Sequence, residues 1–247
     1  MPTTLVLGCR PTLPGVETEV TAIATVAPGA ELLLDPTAAA AASRAPHHDW
    51  AHFSGHADPR LGPNRVLVWC AADGGFSVVD ASTLVGMLRT MKLVVLNGCE
   101  SVELGLALLR AGVPNVVAWK TKLADKAGTL FGQRFWESMA AHATDDNDAL
   151  RIAVRDAFEN AKVAVQTAVK PGGSMDVGGG KKLAASVPKY ELHDPADAAM
   201  VAQAGADAGR MLPAAGAEKA GRIAVGVPVL LQPAPLDRVP SLPEQYQ

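Results

Sequence analysis

The sequence predicts an α/β fold in which a mostly parallel central sheet is covered by helices on both faces. Short apolar segments alternate with segments of helical periodicity through residues 1–170, and this alternation is typical of parallel sheets with helical crossovers. The segment Leu93–Leu96 is apolar at every position, as expected for a strand buried on both faces. Together these observations predict a three-layer α/β sandwich.

The strands are predicted from apolar runs that end at glycine, proline or polar turn residues. Between Arg65–Cys70 and Phe76–Val79 lies "AADGG", a sequence typical of a hairpin turn, so these two strands are expected to pair with each other. The remaining strands are expected at Leu5–Gly8, Glu31–Leu34, Asp49–Ser54, Leu93–Leu96 and Asn115–Trp119.

Helices are predicted between these strands from apolar residues three or four positions apart and from capping residues. Asp35 followed by Pro36 predicts the N-cap and first turn of an alanine-rich helix that reaches Ala45. The other predicted helices are Val16–Ala24, Asp80–Leu88, Leu104–Gly112, Asp125–Ala141 and Asp146–Val169. Glu100 and Ser101, which follow Cys99, are expected to cap the next helix.

The chain divides into a compact unit and a less regular remainder. Residues 1–170 are predicted to form the compact α/β unit. The segment "PGGSMDVGGGKK" at 171–182 is expected to be flexible because it is rich in glycine. Residues 183–247 are expected to extend the sheet or to form an appendage with a disordered tail.

Composition excludes several classes of function. A net charge of −3 and a pI near 6.1 leave no basic footprint for nucleic acid or an anionic membrane. Three scattered cysteines indicate free thiols rather than a disulfide framework. The amino terminus lacks the pattern of a signal peptide, and no apolar run is long enough to span a bilayer, so a cytoplasmic location is expected.

Just after two of the predicted strands the chain carries side chains that can act in catalysis, a histidine and a cysteine. His56 comes after the strand that ends at Ser54, and Cys99 comes after Leu93–Leu96. If these strands are neighbours, the imidazole and the thiol face one crevice, which is the base–nucleophile arrangement of a cysteine hydrolase. Gly55 and Gly98 permit sharp turns there, and adjacent backbone N–H groups could stabilise an oxyanion.

The same two segments resemble a known family. "DWAHFSGHADP" resembles the "lHfaGHG" motif, and "LVVLNGCES" the "LVVLSACES" motif, of CHAT-domain proteins, a caspase-like branch of the caspase/gingipain/separase superfamily of cysteine peptidases. "LVLGCRPTLPGVETEV", "PGAELLLDPTA" and the segment after the cysteine are similar to the family's flanking units in the same order, so the resemblance covers about residues 4–165.

The resemblance implies a caspase-like fold and a cysteine endopeptidase without metal or organic cofactor. Cys99 would be the nucleophile and His56 the acid and base, and the backbone N–H groups of Cys99 and Ala57 would hold the oxyanion. The substrate would be a protein or peptide, and a regulatory protein partner or self-cleavage would control the activity. His52, the first histidine of the motif, is expected to pack or hydrogen-bond beneath the site.

Three further residues are predicted to contact substrate. Asn97 stands two positions before the cysteine, where relatives that cleave after basic residues have aspartate. Trp119, at a strand end, is expected either to line the substrate pocket or to pack in the core. Asp125 is expected to be a helix N-cap first and a site residue second.

Alternatives stay open at this point. The family usually has glycine where this chain has Ala57, and the loop after Cys99 is short, so a catalytically inactive caspase-like domain that acts as a binding or regulatory module is the second hypothesis. A cysteine hydrolase of small amides or esters is the third. His48, His52 and His56 recur every four residues, which permits zinc in principle, but no H-E-x-x-H motif is present.

Overall fold

A seven-stranded, mostly parallel sheet forms the centre of the protein. The computed structural model describes residues 1–10, 13, 15–58, 66–120, 123, 125–168, 182–183, 192–193, 222–223 and 228–233. The strands of this sheet are β1 Thr4–Gly8, β2 Ala30–Leu34, β3 Trp50–Ser54, β7 Leu93–Asn97, β8 Val116–Trp119, β10 Leu192–His193 and β12 Pro228–Leu231. Their order across the sheet is β10-β12-β8-β7-β3-β1-β2, and among these strands only β12 and β8 pair in antiparallel fashion.

In the described part of the chain, six α-helices cover the two faces of this sheet. They are α1 Gly15–Val26, α2 Ala38–Arg44, α3 Ala81–Leu88, α4 Val102–Arg110, α5 Asp125–Ala140 and α6 Asn147–Ala168. One hydrophobic core lies between α1, α5, α6 and one face of the sheet, and a second core lies between α2, α3, α4 and the opposite face. This arrangement confirms the predicted three-layer α/β class.

The order of the strands predicts where a ligand-binding crevice lies. Along the chain the sheet grows outward from β1 in both directions, to β2 on one side and to β3, β7 and β8 on the other. In open parallel sheets a ligand crevice lies outside the carboxyl ends of the strands at such a reversal. Here that point is between β1 and β3, and β7 is the next strand along the sheet.

A small antiparallel sheet continues directly from β3. It consists of β4 Ala57–Asp58, β5 Val66–Cys70 and β6 Phe76–Val79 in that order. The predicted hairpin between β5 and β6 is confirmed, and Gly74 adopts φ 82° in its turn. Gly55 and His56 are the two residues that separate the large sheet from the small one.

The prediction of the N-cap of α2 is wrong. Thr37, not Asp35, caps the helix, and the Thr37 hydroxyl accepts from the Ala40 N–H at 3.1 Å. The Asp35 carboxylate instead accepts from the backbone N–H and Nε of Arg10 at 2.8 and 2.7 Å. This ion pair with the residue after β1 explains why Asp35 adopts a left-handed φ of 48° rather than starting the helix.

Part of the C-terminal region joins the main sheet. β12 pairs with β8, and Gln232 next to it donates to the Asn115 side chain at 2.7 Å and to the Arg151 carbonyl at 3.0 Å. A further pair, β9 Lys182–Leu183 with β11 Arg222–Ile223, is separate from this sheet. The predicted flexible segment at 171–182 lies outside the described residues except for Lys182. No helix in the described part of the chain is long and apolar enough to cross a bilayer.

Candidate active site

The carboxyl ends of β3 and β7 lie side by side. These strands pair in parallel, with Ser54 opposite Asn97. Each is followed by a glycine and then by a predicted catalytic residue, Gly55-His56 in one case and Gly98-Cys99 in the other. His56 and Cys99 both line one cavity of about 210 Å³. The structure therefore brings the two side chains to a shared pocket at the predicted edge of the sheet.

The two turns pack closely because neither glycine carries a side chain. A Cβ on Gly98 would lie 3.0 Å from the Gly55 carbonyl oxygen and 3.5 Å from the Ala57 nitrogen. Such a contact is tighter than nine in ten real Cβ contacts, so one of the two backbone segments would have to shift by a few tenths of an ångström. The absence of a side chain at Gly98 thus favours the close approach of the Cys99 turn to the segment that carries His56.

The turn after Cys99 contains a strained residue. Glu100 adopts φ 51°, one of two positive φ values among the described non-glycine residues. A left-handed conformation in a residue with a Cβ costs on the order of 1–2 kcal/mol. This conformation turns the chain sharply between β7 and α4, so that Cys99 stands just before the amino end of a helix.

Ser101 holds this turn in place, but not in the expected way. Its fully buried hydroxyl donates to the Leu96 carbonyl at 3.0 Å and accepts from the Trp119 N–H at 3.1 Å. Ser101 occupies the N-cap position of α4 without a side-chain capping bond. The expectation that it caps the helix is therefore wrong, because the hydroxyl joins β7 to β8 instead.

The Ala57 backbone is oriented away from β5. The Val68 N–H donates to the His56 carbonyl at 2.9 Å, and Ala57 stands opposite Leu67 in the next pair of the ladder. Because hydrogen-bonded and non-hydrogen-bonded pairs alternate in antiparallel ladders, the Ala57 N–H points to the other side, where Gly98 lies. Ala57 is not among the residues with positive φ, so its Cβ causes no backbone strain.

The Cys99 sulfur contacts the backbone of Leu123. The Leu123 N–H donates to Sγ at 3.2 Å, and the Leu123 carbonyl accepts from the thiol at 3.7 Å. A hydrogen bond donated to sulfur favours the thiolate, as does the amino end of a helix, whereas the bond that the thiol donates to the carbonyl favours the protonated form. Cys99 is partly exposed, whereas Leu123 forms part of the pocket wall.

A buried polar network lies beneath the pocket. Trp136 Nε1 donates to His52 Nδ1 at 3.0 Å, so that nitrogen bears no proton, and Nε2 of the neutral imidazole donates to Glu19 Oε1 at 3.0 Å. His52 is 0% exposed. The sequence-based expectation that His52 hydrogen-bonds beneath the site agrees with this arrangement.

Asn97 connects that network to the nucleophile strand. Its Nδ2 donates to Glu19 Oε1 at 2.7 Å and to the Gly128 carbonyl at 3.0 Å, and its Oδ1 accepts from Trp119 Nε1 at 2.7 Å. Asn97 is buried and also lines the pocket. Both N–H groups of its amide and one lone pair of its oxygen are thus engaged within the protein.

Glu19 was not foreseen as a site residue. It lies on the buried face of α1 with Val16, Val20 and Ile23, and it is 3% exposed. Helical spacing could have revealed it, because residue 19 lies within the apolar stripe formed by residues 16, 20 and 23. A carboxyl group inside such a stripe must have a specific polar partner or a ligand.

The CHAT domain matches residues 4–204. The chain belongs to the CHAT-domain family. The match passes residue 170, the predicted end of the compact unit, into the part of the chain that carries β9 and β10. No curated protein matches the chain.

Two solved structures are similar to this CHAT domain. The Arg-specific cysteine proteinase gingipain R (RgpB) has a TM-score of 0.47 and 8% identity, over 68% of this chain and 42% of that chain. A complex of the Porphyromonas gingivalis RgpB pro- and mature domains has a TM-score of 0.41 and 9% identity, over 66% and 45%. The chain thus spans less than half the length of these structures.

Two predicted substrate contacts have different outcomes in the CHAT domain. Trp119 is 0% exposed, packs edge-on against Phe131 and does not line the pocket, so the structure favours the core-packing interpretation. The reason is its ring N–H, which is directed to Asn97. Asp125 is the first residue of α5, and its side chain lies outside the described part.

The other two cysteines have a different environment. Cys9 and Cys70 are buried. Burial, with the Cys70 thiol and the Asp35 carboxylate nearby, raises the pKa of the Cys9 thiol far above its ordinary value. Burial and Asp35 also raise the pKa of Cys70. Both thiols are therefore less reactive at neutral pH than an ordinary cysteine.

Proposed function

We propose that this CHAT domain is a cysteine endopeptidase that hydrolyses peptide bonds in protein substrates with Cys99 and His56. The observation that carries the proposal is that both side chains line one pocket at the carboxyl ends of adjacent parallel strands. Membership of the CHAT family supports it.

In the proposed reaction, the Cys99 proton passes to His56 and the thiolate attacks the substrate carbonyl carbon. The new C–S bond gives a tetrahedral oxyanion, which collapses as the C–N bond breaks and His56 protonates the leaving amine. Water then adds to the thioester, with His56 as the base. Loss of the thiolate releases the carboxylic acid and restores the enzyme.

The local geometry suits both charged species of this cycle. The Leu123 N–H at 3.2 Å and the amino end of α4 favour the thiolate. The Ala57 N–H points toward the Cys99 turn, and the Cys99 N–H is the second proposed oxyanion donor. Such preorganised donors contribute about 3–4 kcal/mol each to transition-state binding.

One observation favours the second candidate, a catalytically inactive binding module. Both polar backbone atoms of Leu123 contact the Cys99 sulfur, and an electrophile must approach that sulfur past this segment. In an inactive module these contacts would persist and the thiol would stay unreactive. In the peptidase, substrate binding displaces the carbonyl contact, and a regulatory protein partner could promote this step.

Reaction with peptidyl acyloxymethyl ketones separates the two candidates. We expect the wild-type protein to be labelled at Cys99, Cys99→Ala to lose all labelling, and His56→Ala to be labelled at least about 100-fold more slowly, as for loss of a general base. Cys9 and Cys70 in the same molecule are internal controls. Labelling of Cys99 no faster than of those two thiols would favour the binding module.

A further inference from the structure

The pocket that Cys99 and His56 line also has apolar side chains and a carboxyl group in its lining. Leu13, Val16 and Leu123 supply the apolar side chains, next to the polar residues Ser54, Asn97 and Thr129. Glu19 also lines this pocket and is 3% exposed. A long aliphatic side chain with a polar end matches this combination, because its methylenes contact the walls while its end meets the carboxyl group.

The Glu19 carboxylate meets no cation among the residues that the structure describes. Its ion-pair partner by distance is His52, but that imidazole is neutral because its Nδ1 accepts from Trp136. Asn97, the other partner, is uncharged. A buried carboxylate is normally paired with a cation. A positively charged group of a substrate bound in the pocket could supply that partner for Glu19.

Only one carboxylate oxygen is occupied by the network. The hydrogen bonds from His52 Nε2 and Asn97 Nδ2 both end on Oε1 of Glu19, at 3.0 and 2.7 Å. An ionised carboxylate has about four lone-pair positions on its two oxygens. Among the described residues, Oε1 therefore accepts two donors and Oε2 accepts none, so Oε2 is the atom that can accept a donor from the pocket.

Resting on the proposed peptidase function, we propose that Glu19 is the specificity-determining residue for a lysine at P1, the substrate residue on the amino side of the cleaved bond. The lysine stem lies between Val16 and Leu123, and its ammonium group donates to Oε2 of Glu19. Asn97 positions the carboxylate through the hydrogen bond that its amide donates to Oε1, and Glu19 supplies the negative charge that the neutral amide lacks.

The two hydrogen bonds that Oε1 of Glu19 already accepts favour lysine over arginine at P1. A guanidinium group binds a carboxylate best through two parallel hydrogen bonds to both oxygens. Because Oε1 of Glu19 already accepts two hydrogen bonds, only one N–H group of the guanidinium finds an acceptor, which is Oε2. An ammonium group needs a single point of contact, and the cavity of about 210 Å³ is small.

The test uses peptides that differ only at P1, with lysine, arginine, norleucine or glutamate. Norleucine has a similar straight aliphatic chain but no ammonium group. For the wild-type protein we expect kcat/KM for lysine to exceed that for norleucine by roughly 100-fold, the effect of removing one partner of a buried charge pair. Arginine should fall between them, and glutamate should not be cleaved.

The Glu19→Gln variant tests whether the preference for lysine at P1 depends on Glu19. The amide keeps an oxygen that accepts from His52, so the network is retained, but the negative charge is lost. We expect kcat/KM to fall roughly 100-fold for lysine and less than about 3-fold for norleucine. Glu17→Gln is the matched control on the same helix, because Glu17 is half exposed and pairs with Arg10 away from the pocket; its preference should equal that of the wild-type protein.

Labelling of wild-type Cys99 by acyloxymethyl ketones with P1 lysine or norleucine provides a second measurement that requires no variant. Faster labelling by the lysine probe supports the inference even if Glu19→Gln does not fold. Equal labelling by both probes overturns the inference and leaves the peptidase intact. A parallel loss for lysine and norleucine in folded Glu19→Gln shows a purely structural role. No labelling by any probe overturns the peptidase proposal as well.

Discussion

Two turns at the same edge of the sheet each carry a cysteine, yet the two thiols differ in exposure and in hydrogen bonding. Cys9 follows β1 directly and is 2% exposed, with its thiol pKa raised by burial. Cys99 follows β7 after a glycine, is partly exposed and receives an N–H hydrogen bond on sulfur. The comparison teaches that a position just past a parallel strand does not by itself make a thiol accessible; the geometry of the turn decides its exposure and its hydrogen-bond donors.

The largest expected difference in activity is between the two variants in which one of these cysteines is replaced by alanine. Cys99→Ala should abolish peptidase activity, a loss of more than about 1,000-fold, as for removal of a nucleophile. Cys9→Ala should retain activity within about 2-fold, because Cys9 packs in the core and does not line the pocket. Rates of peptide hydrolysis by the two purified variants check this, and similar losses in both would contradict the distinction between the turns.

The pH dependence of alkylation sharpens the same comparison. Because burial raises the pKa of Cys9 and of Cys70, their thiolate fractions at neutral pH are small and grow only as the pH rises toward those values. We expect iodoacetamide to modify Cys99 first at pH 7, and Cys9 last even at pH 9. Mass spectrometry of digested protein gives the three rates, and a faster reaction at Cys9 would be the opposite result.

Gly98→Ala tests the contact between the Cys99 turn and the His56 segment. The new Cβ would lie 3.0 Å from the Gly55 carbonyl, so one of the two segments must shift by a few tenths of an ångström. Because a misplacement of about 1 Å reduces catalysis roughly 100-fold, this smaller shift should reduce activity by on the order of 10-fold. Gly86→Ala is the control, because a Cβ there meets nothing within 4 Å and alanine favours the helix. Activity should fall in the first variant and be kept in the second.

Ser101→Ala is expected to have an intermediate effect. It removes the hydroxyl that joins Leu96 to the Trp119 N–H and leaves both backbone groups without that buried partner. The free energy of unfolding should fall by about 1–3 kcal/mol, and Cys99 labelling should slow. Ser43→Ala removes an exposed hydroxyl and should change the urea midpoint little; equal shifts would refute the role assigned to Ser101.

The smallest effect concerns the strained residue after the nucleophile. Glu100→Gly relieves a left-handed conformation of φ 51°, whereas Glu103→Gly places glycine inside α4, where it costs about 1 kcal/mol. We expect the first variant to be more stable than the second by at least about 1 kcal/mol. Thermal unfolding of both would show the difference, and the reverse order would exclude strain at Glu100.

The strands and the pair of strand-end residues could be predicted because each depends on local sequence. The apolar run before Asn97 and the glycine before Cys99 are readable without coordinates. Glu19 was missed because its role depends on contacts with residues 33 and 78 positions away. Asp35 and Ser101 were assigned as caps for the same reason: a competing partner from another strand was not visible in the local sequence.

The position of His56 between two sheets has a mechanical consequence. His56 belongs to neither sheet but to the two-residue junction between β3 and β4, while the turn that carries Cys99 is joined to β7 and β8 of the large sheet by Ser101. A tilt of the small sheet would therefore change the distance between the His56 imidazole and the Cys99 sulfur. If the two residues act as the proposed acid–base and nucleophile, heating should abolish activity at a temperature below the melting of the seven-stranded sheet.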